Sequence, residues 1–272
     1  MLVRSLVLLY GAVCYLAFLG VFLYLIGFLG DFVVPKSIDS GYKVPFMTGL
    51  LIDTALLIIF GLQHSIMARP AFKKIWTKVV PWPIERSTYV LMTNLALALL
   101  FWQWRPVQGV LWDLHYPAPQ AVAYGLFALG WAIVLYSTLL INHFDLFGLR
   151  QVLLHFQDKK YTPVGFKMPW PYRFVRHPLY VGWLLAFWST PTMTVSHLIF
   201  SLGTTAYILI AIRFEERDLI ESHGEEYKQY RNRVPMLIPR LPSKEPAANR
   251  TPKNSDRVQP DRPPDPDSTN YR

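Results

Sequence analysis

The chain has 272 residues, of which 52% are apolar and 17% are charged, and its formal net charge is +9. Charge this sparse, with the apolar residues gathered in long runs, excludes an ordinary soluble domain. A nucleic-acid partner is excluded as well, because the basic residues lie in the segments that flank the apolar runs, where the positive-inside rule puts them in membrane proteins.

The first four apolar runs predict membrane-spanning helices. The first run has no charged residue and is long enough to cross a hydrocarbon core of about 30 Å. It is too long for the apolar part of a signal peptide and lacks a small-residue cleavage site. Cys14 is the single cysteine, which excludes an internal disulfide and predicts a packing role. The predicted spans are 5–30, 46–67, 88–104 and 120–141.

The fifth apolar stretch, 179–212, is too long for one crossing. Its 34 residues would extend about 51 Å as a straight helix. Pro191 interrupts it near the middle, where proline disfavours a continuous helix. We therefore predict a hairpin of two short helices, 179–190 and 193–212. A single tilted span followed by an interfacial helix is the competing model.

The distribution of basic residues predicts the orientation. The segments after the second and fourth runs are rich in Lys and Arg, so we expect them, and both termini, on the cytoplasmic side. After Ile212 an amphipathic stretch, broken at Gly224, predicts a helix along the cytoplasmic interface. The sequence thus predicts an all-α integral membrane protein with five to six transmembrane helices, one domain over 1–241 and a disordered tail over 242–272.

Four polar clusters fall at the cytoplasmic ends of the predicted spans. Ionisable residues at a membrane boundary are costly and are often functional, so their convergence predicts an active site. Simpler roles remain open, since a histidine can stabilise a helix C-terminus and arginines can reach toward lipid headgroups. The clusters are Gln63 to Ser65, Asn142 to Asp145, Arg176 to Tyr180 and Arg213 to Asp218.

The order and spacing of motifs in the second half carry a family resemblance. Arg176-His177-Pro178-x-Tyr180 precedes an apolar hairpin, which is followed by Glu215-Glu216 and then by Gly224-Glu-Glu-Tyr227-x-x-Tyr230 and Val234-Pro235. This pattern, over 161–239, resembles the superfamily of isoprenylcysteine carboxyl methyltransferases and phospholipid methyltransferases. The segments 63–69 and 142–149 look like those of the bacterial methanethiol S-methyltransferases and the related NnrU-type proteins. The narrower resemblance implies a bacterial inner-membrane protein.

The resemblance implies an S-adenosylmethionine pocket at the cytoplasmic face. One of two neighbouring glutamates, Glu215 or Glu216, would hold the polar end of this methyl donor, because a carboxylate suits its ammonium group or ribose hydroxyls. An aromatic ring near the sulfonium can add cation–π attraction. No metal is expected. The residues assigned to the donor are Tyr172, Arg176, His177, Pro178, Tyr180, Glu215 and Glu216.

The substrate that the resemblance implies is a small thiol, with methanethiol converted to dimethyl sulfide. The isoprenylcysteine enzymes carry a substrate-binding Arg one turn before the glutamate, but Ala211 stands at that position here and Arg213 follows two residues later. Arg213 and Asn142 are the candidate substrate-binding residues. Another thiol, an isoprenylcysteine and a phospholipid amine are the alternative methyl acceptors.

A base near the thiol is expected, because the thiolate is the better nucleophile. His143, held by Asp145, is the first candidate, and His64 is the second. A membrane haem protein with His64 and His143 as axial ligands is the main alternative from another class. Beyond the thiol and the lipid bilayer, the sequence gives no sign of an obligate protein partner.

Overall fold

The computed structural model describes residues 1–162 and 169–239. Within these residues the chain forms nine α-helices, a 3₁₀ turn at Trp170–Arg173 and one two-stranded sheet. The predicted disordered tail, 242–272, lies outside the described residues. The helices are α1 (Leu2–Gly30), α2 (Phe46–Ala68), α3 (Pro70–Trp76), α4 (Trp82–Gln103), α5 (Pro117–Ile141), α6 (His143–Leu146), α7 (Leu149–Phe156), α8 (Pro178–Trp188) and α9 (Val195–Arg233).

The all-α membrane architecture is confirmed. Four helices, α1, α2, α5 and α9, are long and apolar enough to cross a membrane, and α8 is a shorter apolar helix. Helix α4 begins before its apolar run, at Trp82, because Pro83 suits the first turn of a helix and Glu85 is favoured near its positive end. Its first turn, which carries Glu85, therefore lies at the end of α4 that is connected to α3.

Helices α5 and α8 approach each other through glycines. A Cβ atom on Gly130 would lie 2.5 Å from the backbone nitrogen of Ala186, and one on Gly182 would lie 2.8 Å from that of Val134. Such contacts are too short for any side chain larger than hydrogen. In a membrane, where apolar burial between helices contributes little, close backbone packing of this kind is a main source of association.

The predicted hairpin is present in the last apolar stretch. Helix α8 ends at Trp188, and α9 begins at Val195. His197 Nε2 and the Ser201 hydroxyl of α9 both donate to the carbonyl oxygen of Phe187, at 2.8 and 2.7 Å. These bonds hold the last turn of α8 against the first turns of α9, so the single tilted span is not what forms. Farther along α9, Gly224 leaves the helical conformation (φ 57°, ψ −128°), at the predicted break.

The small sheet was not predicted from the sequence. Strand β1 (Val110–Asp113) lies between α4 and α5, and it pairs antiparallel with β2 (Thr192–Thr194) in the hairpin turn. Strands of four and three residues are too short to show an alternating pattern that sequence analysis can recognise. The sheet joins the α4–α5 connection to the α8–α9 turn.

Candidate active site

A cavity of about 870 Å³ lies where the polar clusters meet. It is bounded by α3 and the start of α4, by the end of α5 and the α6–α7 corner, and by the 3₁₀ turn with the second half of α9. Polar and aromatic side chains dominate the wall that is nearest the sequence motifs. Its lining includes Lys73, Lys74, Trp82, Glu85, Arg86, Asn142, Asp145, Gln151, Tyr161, Tyr172, Arg176, His177, Glu215, Tyr227 and Tyr230.

Glu215 is the glutamate that lines the cavity. Its side chain is 46% exposed, and its Oε2 atom accepts a hydrogen bond from the Tyr180 hydroxyl at 3.0 Å. His177 Nδ1 lies 3.9 Å from the same oxygen. Of the two glutamates that the sequence left open, Glu215 thus has a carboxylate available to a ligand.

Glu216 points into the protein. Its Oε1 atom accepts from Arg176 Nε at 2.7 Å and contacts His177 Nε2 at 3.0 Å, and the Arg176 and Glu216 side chains are only 11% and 12% exposed. Arg176 also donates to the carbonyl oxygens of Arg231 and Val234, at 2.9 and 2.7 Å. Arg176 and Glu216, both expected to bind the methyl donor, therefore tie the start of α8 to the end of α9.

Tyrosines form much of the wall beside Glu215. Tyr230 donates from its hydroxyl to the carbonyl oxygen of Tyr172 at 2.7 Å, which joins the end of α9 to the 3₁₀ turn. Burial, with the nearby Glu215 and Tyr230, raises the pKa of Tyr172 to about 12. Tyr172 is therefore a neutral phenol in the cavity at physiological pH, with its ring available to a cation.

The corner between α5 and α6 turns at Asn142. This residue has φ 115°, ends α5, and accepts from the Asp145 backbone N–H through its side-chain oxygen at 3.3 Å. Asp145 in turn accepts from Arg150 at 3.1 Å and from the Tyr161 hydroxyl at 3.1 Å. Asn142 and Asp145 both line the cavity, so the corner presents an amide and an ion-paired carboxylate to it.

The expected pairing of His143 with Asp145 is corrected by the structure. His143 is buried with its Nε2 atom 2.8 Å from the Tyr15 hydroxyl and its Nδ1 atom 3.0 Å from the Thr138 hydroxyl. Burial lowers the pKa of His143. The side chain faces α1, away from the carboxylate of Asp145, because α6 is a single turn that sends neighbouring side chains in different directions. His143 does not line the cavity.

Four other predicted site residues, His64, Pro178, Tyr180 and Arg213, lie outside the cavity lining, and Tyr180 reaches the site only through its hydrogen bond to Glu215. His64 lies between α2 and α4, with both ring nitrogens 3.0 Å from the Tyr89 hydroxyl and Nδ1 3.3 Å from that of Thr93. Arg213 is exposed on α9 and is not among the residues that line the cavity. Pro178 occupies the first turn of α8, where it shapes the helix start.

Curated relatives decide the family. A methanethiol S-methyltransferase of Crocosphaera subtropica is 58% identical over 236 residues, which cover 87% of this chain and 92% of the relative. A methanethiol S-methyltransferase of Mycobacterium tuberculosis is 51% identical over 236 residues, 87% of this chain and 97% of the relative. This chain belongs to the methanethiol S-methyltransferase family.

A more distant relative extends the comparison. Nurim of Mus musculus is 32% identical over 183 residues, covering 64% of this chain and 69% of that protein. No family model matches the sequence, and no solved structure matches it. The family resemblance predicted from the motifs is confirmed, and the distant match fits the broader superfamily.

The basic residues that line one wall of the cavity were not predicted from the sequence. Lys73 and Lys74 of α3 and Arg86 of α4 line it, together with Trp82. Their positions had been explained by the positive-inside rule, which accounts for the side of the membrane but not for what the side chains face. The signal available was a Lys-Lys pair following proline, which predicts only a short basic helix.

Proposed function

We propose that this chain transfers the methyl group of S-adenosylmethionine to the sulfur of methanethiol, forming dimethyl sulfide and S-adenosylhomocysteine. The observation that carries the proposal is that motif residues Tyr172, His177 and Glu215 line a single cavity, in a chain 58% identical to a methanethiol S-methyltransferase. In the reaction the thiolate sulfur forms a bond to the methyl carbon as the carbon–sulfonium bond breaks, in line, and the thiol proton leaves to solvent.

The donor set of the cavity fits S-adenosylmethionine. A volume of about 870 Å³ lies within the usual range for small-ligand sites. Glu215 offers a carboxylate oxygen to the ammonium group or to the ribose hydroxyls, which are strong partners for an anion. Tyr172, Tyr227 and Tyr230 offer aromatic faces to a sulfonium cation or an adenine ring. The proposed binding residues are therefore Tyr172, His177 and Glu215, with Tyr180 orienting Glu215 through its hydroxyl.

The protein's contribution to the rate is proposed to be positioning. An in-line displacement between two sulfur atoms gains most from holding the reactants at attack distance and keeping water away. His177 is fixed by Glu216, and Glu216 is fixed by Arg176, so the wall that carries Glu215 is held from behind. Arg176 and Glu216 are proposed as positioning residues on this ground.

The former base candidates are proposed to act at a distance from the sulfur. His143 joins α1 to α5 through Tyr15 and Thr138, and it thereby supports the corner that carries Asn142 and Asp145. Both carboxylate oxygens of Asp145 already accept hydrogen bonds, one from Arg150 and the other from Tyr161. The geometry supports capture of the thiolate already present in solution over removal of the proton by His143 or His64.

The site is proposed to open on the cytoplasmic face of a bacterial inner membrane, with both termini on that side. The support is that Lys73, Lys74, Lys78 and Arg86 lie in the segment from α3 to α4, next to the cavity, and basic residues favour the cytoplasmic side. A thiol as small as methanethiol needs no charged anchor, which agrees with the outward position of Arg213.

The proposal is tested by headspace gas chromatography of the purified protein in detergent, supplied with S-adenosylmethionine and methanethiol. Dimethyl sulfide should appear in step with loss of the methyl donor, and a Glu215→Gln variant should lose most of the rate. Ethanethiol, an isoprenylcysteine and a phosphatidylethanolamine serve as competing acceptors. Turnover of one of these and none of methanethiol would show that the substrate is wrong.

A further inference from the structure

The cavity is lined by basic residues of α3 and α4 as well as by the acidic and aromatic residues described above. Helix α3 is a seven-residue helix that begins at Pro70 and presents Lys73 and Lys74 to the cavity. Arg86 reaches the same space from the start of α4. Glu85 is the one carboxylate contributed by these two helices to the lining, so the α3–α4 wall holds three cations against one anion.

Lys73, Lys74 and Arg86 lack a close carboxylate partner in the described part of the chain, whereas other arginines around the site have one. Among the described residues, neither Lys73 nor Lys74 forms an ion pair within 4.0 Å. By contrast, Arg69 lies 2.6 Å from Asp218, and Arg150 lies 3.1 Å from Asp145. The positive charges of Lys73 and Lys74 are thus not neutralised by an ion pair among the described residues.

Arg86 is held in place but keeps donors free. Its Nε atom donates to the carbonyl oxygen of Leu146 at 2.7 Å, and its guanidinium lies 4.7 Å from the centre of the Tyr89 ring. The two terminal nitrogens make no hydrogen bond within the described part of the chain. A guanidinium that lines a cavity and is fixed through its Nε atom is suited to a planar anion such as a carboxylate.

The electrostatics of Lys73 agree with a missing anion. Burial lowers the pKa of Lys73, the Arg86 cation lowers it further, and Glu85 raises it in part. An ammonium group that is partly desolvated beside another cation gains most when an anion arrives between them. The proposed methyl donor carries one such anion, the carboxylate of its methionyl end, besides the ammonium that Glu215 suits.

We propose that Lys73 and Arg86 form the subsite for the methionyl carboxylate of S-adenosylmethionine, in the same cavity as Glu215. This inference rests on the proposed function, since it assigns one end of that donor. Helix α3 then takes part in binding: Lys73 and Arg86 contact the carboxylate of the methionyl end, and Glu215 contacts its ammonium group. A lipid phosphate could supply an anion of similar chemistry at this wall, and the choice of ligands below separates the two sources.

The test compares three ligands by calorimetric titration of the purified protein. S-adenosylmethionine carries three charged groups: a carboxylate, an ammonium and a sulfonium. Its decarboxylated analogue keeps the ammonium and the sulfonium, and methylthioadenosine has none of the three. The wild type should bind S-adenosylmethionine about ten- to a hundredfold more tightly than the decarboxylated analogue, the range expected for a hydrogen bond to a charged group. In Lys73→Met this preference should fall to near one, while affinity for the decarboxylated analogue is kept or raised.

Lys78→Met is the matched control, because Lys78 lies on the same connection, is exposed and is outside the cavity lining. It should keep the wild-type preference. The hydrogen bonds that Lys73 makes in the described part of the chain all involve its backbone, so the variant should keep the fold, and retained binding of methylthioadenosine verifies this. Arg86→Met should also lower the preference.

Each contrary outcome has a distinct meaning. Equal wild-type affinity for the first two ligands overturns the subsite and leaves the proposed function intact. An unchanged preference in Lys73→Met also overturns it, and so does a parallel loss of affinity for all three ligands. If the wild type binds no S-adenosylmethionine, the proposed function itself fails and the subsite fails with it.

Discussion

The Nε atom of Arg176 donates to Oε1 of Glu216 at 2.7 Å, in an ion pair that joins the residue two before α8 to the middle of α9. The same guanidinium donates to two carbonyl oxygens near the end of α9. The adjacent backbone N–H groups of Arg176 and His177 donate to Pro235 and Met236, at 2.9 and 3.2 Å. The two neighbouring glutamates therefore differ. The carboxylate of Glu216 is held by Arg176 and His177, whereas Glu215 lines the cavity.

The two glutamates should therefore respond differently to the same substitution. Glu216→Gln removes the charge that balances Arg176 in a nearly buried pair, and it should destabilise the protein by about 3 kcal/mol. Glu215→Gln should melt like the wild type but bind S-adenosylmethionine roughly ten- to a hundredfold more weakly. Thermal unfolding followed by tryptophan fluorescence, with titration of the ligand, measures both. A stable Glu216→Gln protein with selectively weakened binding would reverse the assignment.

The pH dependence of kcat/KM tests the position of His143. If the thiolate is captured from solution, kcat/KM should rise about tenfold per pH unit below the pKa of the thiol, which for a cysteine thiol is near 8.5. His143→Gln should keep this slope and lower the rate uniformly, and Tyr15→Phe should do the same, because both weaken one contact. Initial rates between about pH 6 and pH 8 are the measurement. A wild-type plateau that disappears only in His143→Gln would identify His143 as a base.

Two glycines of α5 provide a matched test of helix packing. A Cβ atom on Gly130 would collide with the backbone of α8, whereas one on Gly125 would meet nothing within 4 Å. Both substitutions to alanine gain the same helix propensity. Gly130→Ala should nevertheless destabilise the protein by about 1–3 kcal/mol, the usual cost of overpacking, and Gly125→Ala should be neutral or slightly stabilising. Equal melting temperatures for the two variants would contradict the close α5–α8 contact.

Asp39, in the connection between α1 and α2, should make stability depend on pH. Burial raises its pKa to about 6, the hydrogen bond from Thr194 opposes this, and Asp31 adds to it. Because the folded pKa exceeds the value of 3.8 for an exposed group, stability is highest below that value and falls as pH rises toward about 6.

Asp39→Asn should remove this loss, since the amide oxygen can still accept from Thr194. The variant should melt a few degrees above the wild type at neutral pH, and the two proteins should converge in mild acid. Melting curves across this range measure the difference. A variant that melts lower than the wild type at neutral pH would show that the carboxylate is stabilising there.

The apolar runs and Pro191 were enough to predict the long apolar helices and the hairpin, because length and the interruption of a run are properties of the chain alone. They did not predict the short helices α3, α6 and α7, or the continuation of α9 to Arg233. Both Glu215 and His177 line one cavity, in agreement with what the family resemblance implied. Which of two adjacent glutamates faces the cavity depends on how α9 rotates against α8, and that rotation is set by packing. The predicted pairing of His143 with Asp145 was wrong for the same reason, since membrane depth does not show which way a side chain points around a helix.

The basic wall could not be predicted either. Lys73 and Arg86 belong to different helices, and their approach depends on the short turn of α3 after Arg69. Residues 163–168, within the predicted binding segment 161–239, lie outside the described residues.

The most direct test of the account supplies the purified protein with S-adenosylmethionine that carries a trideuteromethyl group, together with ordinary methanethiol. Headspace mass spectrometry then reads the mass of the sulfide. Direct methyl transfer should give dimethyl sulfide heavier by the three deuterium substitutions, formed in equal amount with S-adenosylhomocysteine and nearly abolished in Glu215→Gln. Release of S-adenosylhomocysteine without labelled dimethyl sulfide, or the absence of both products, would contradict it.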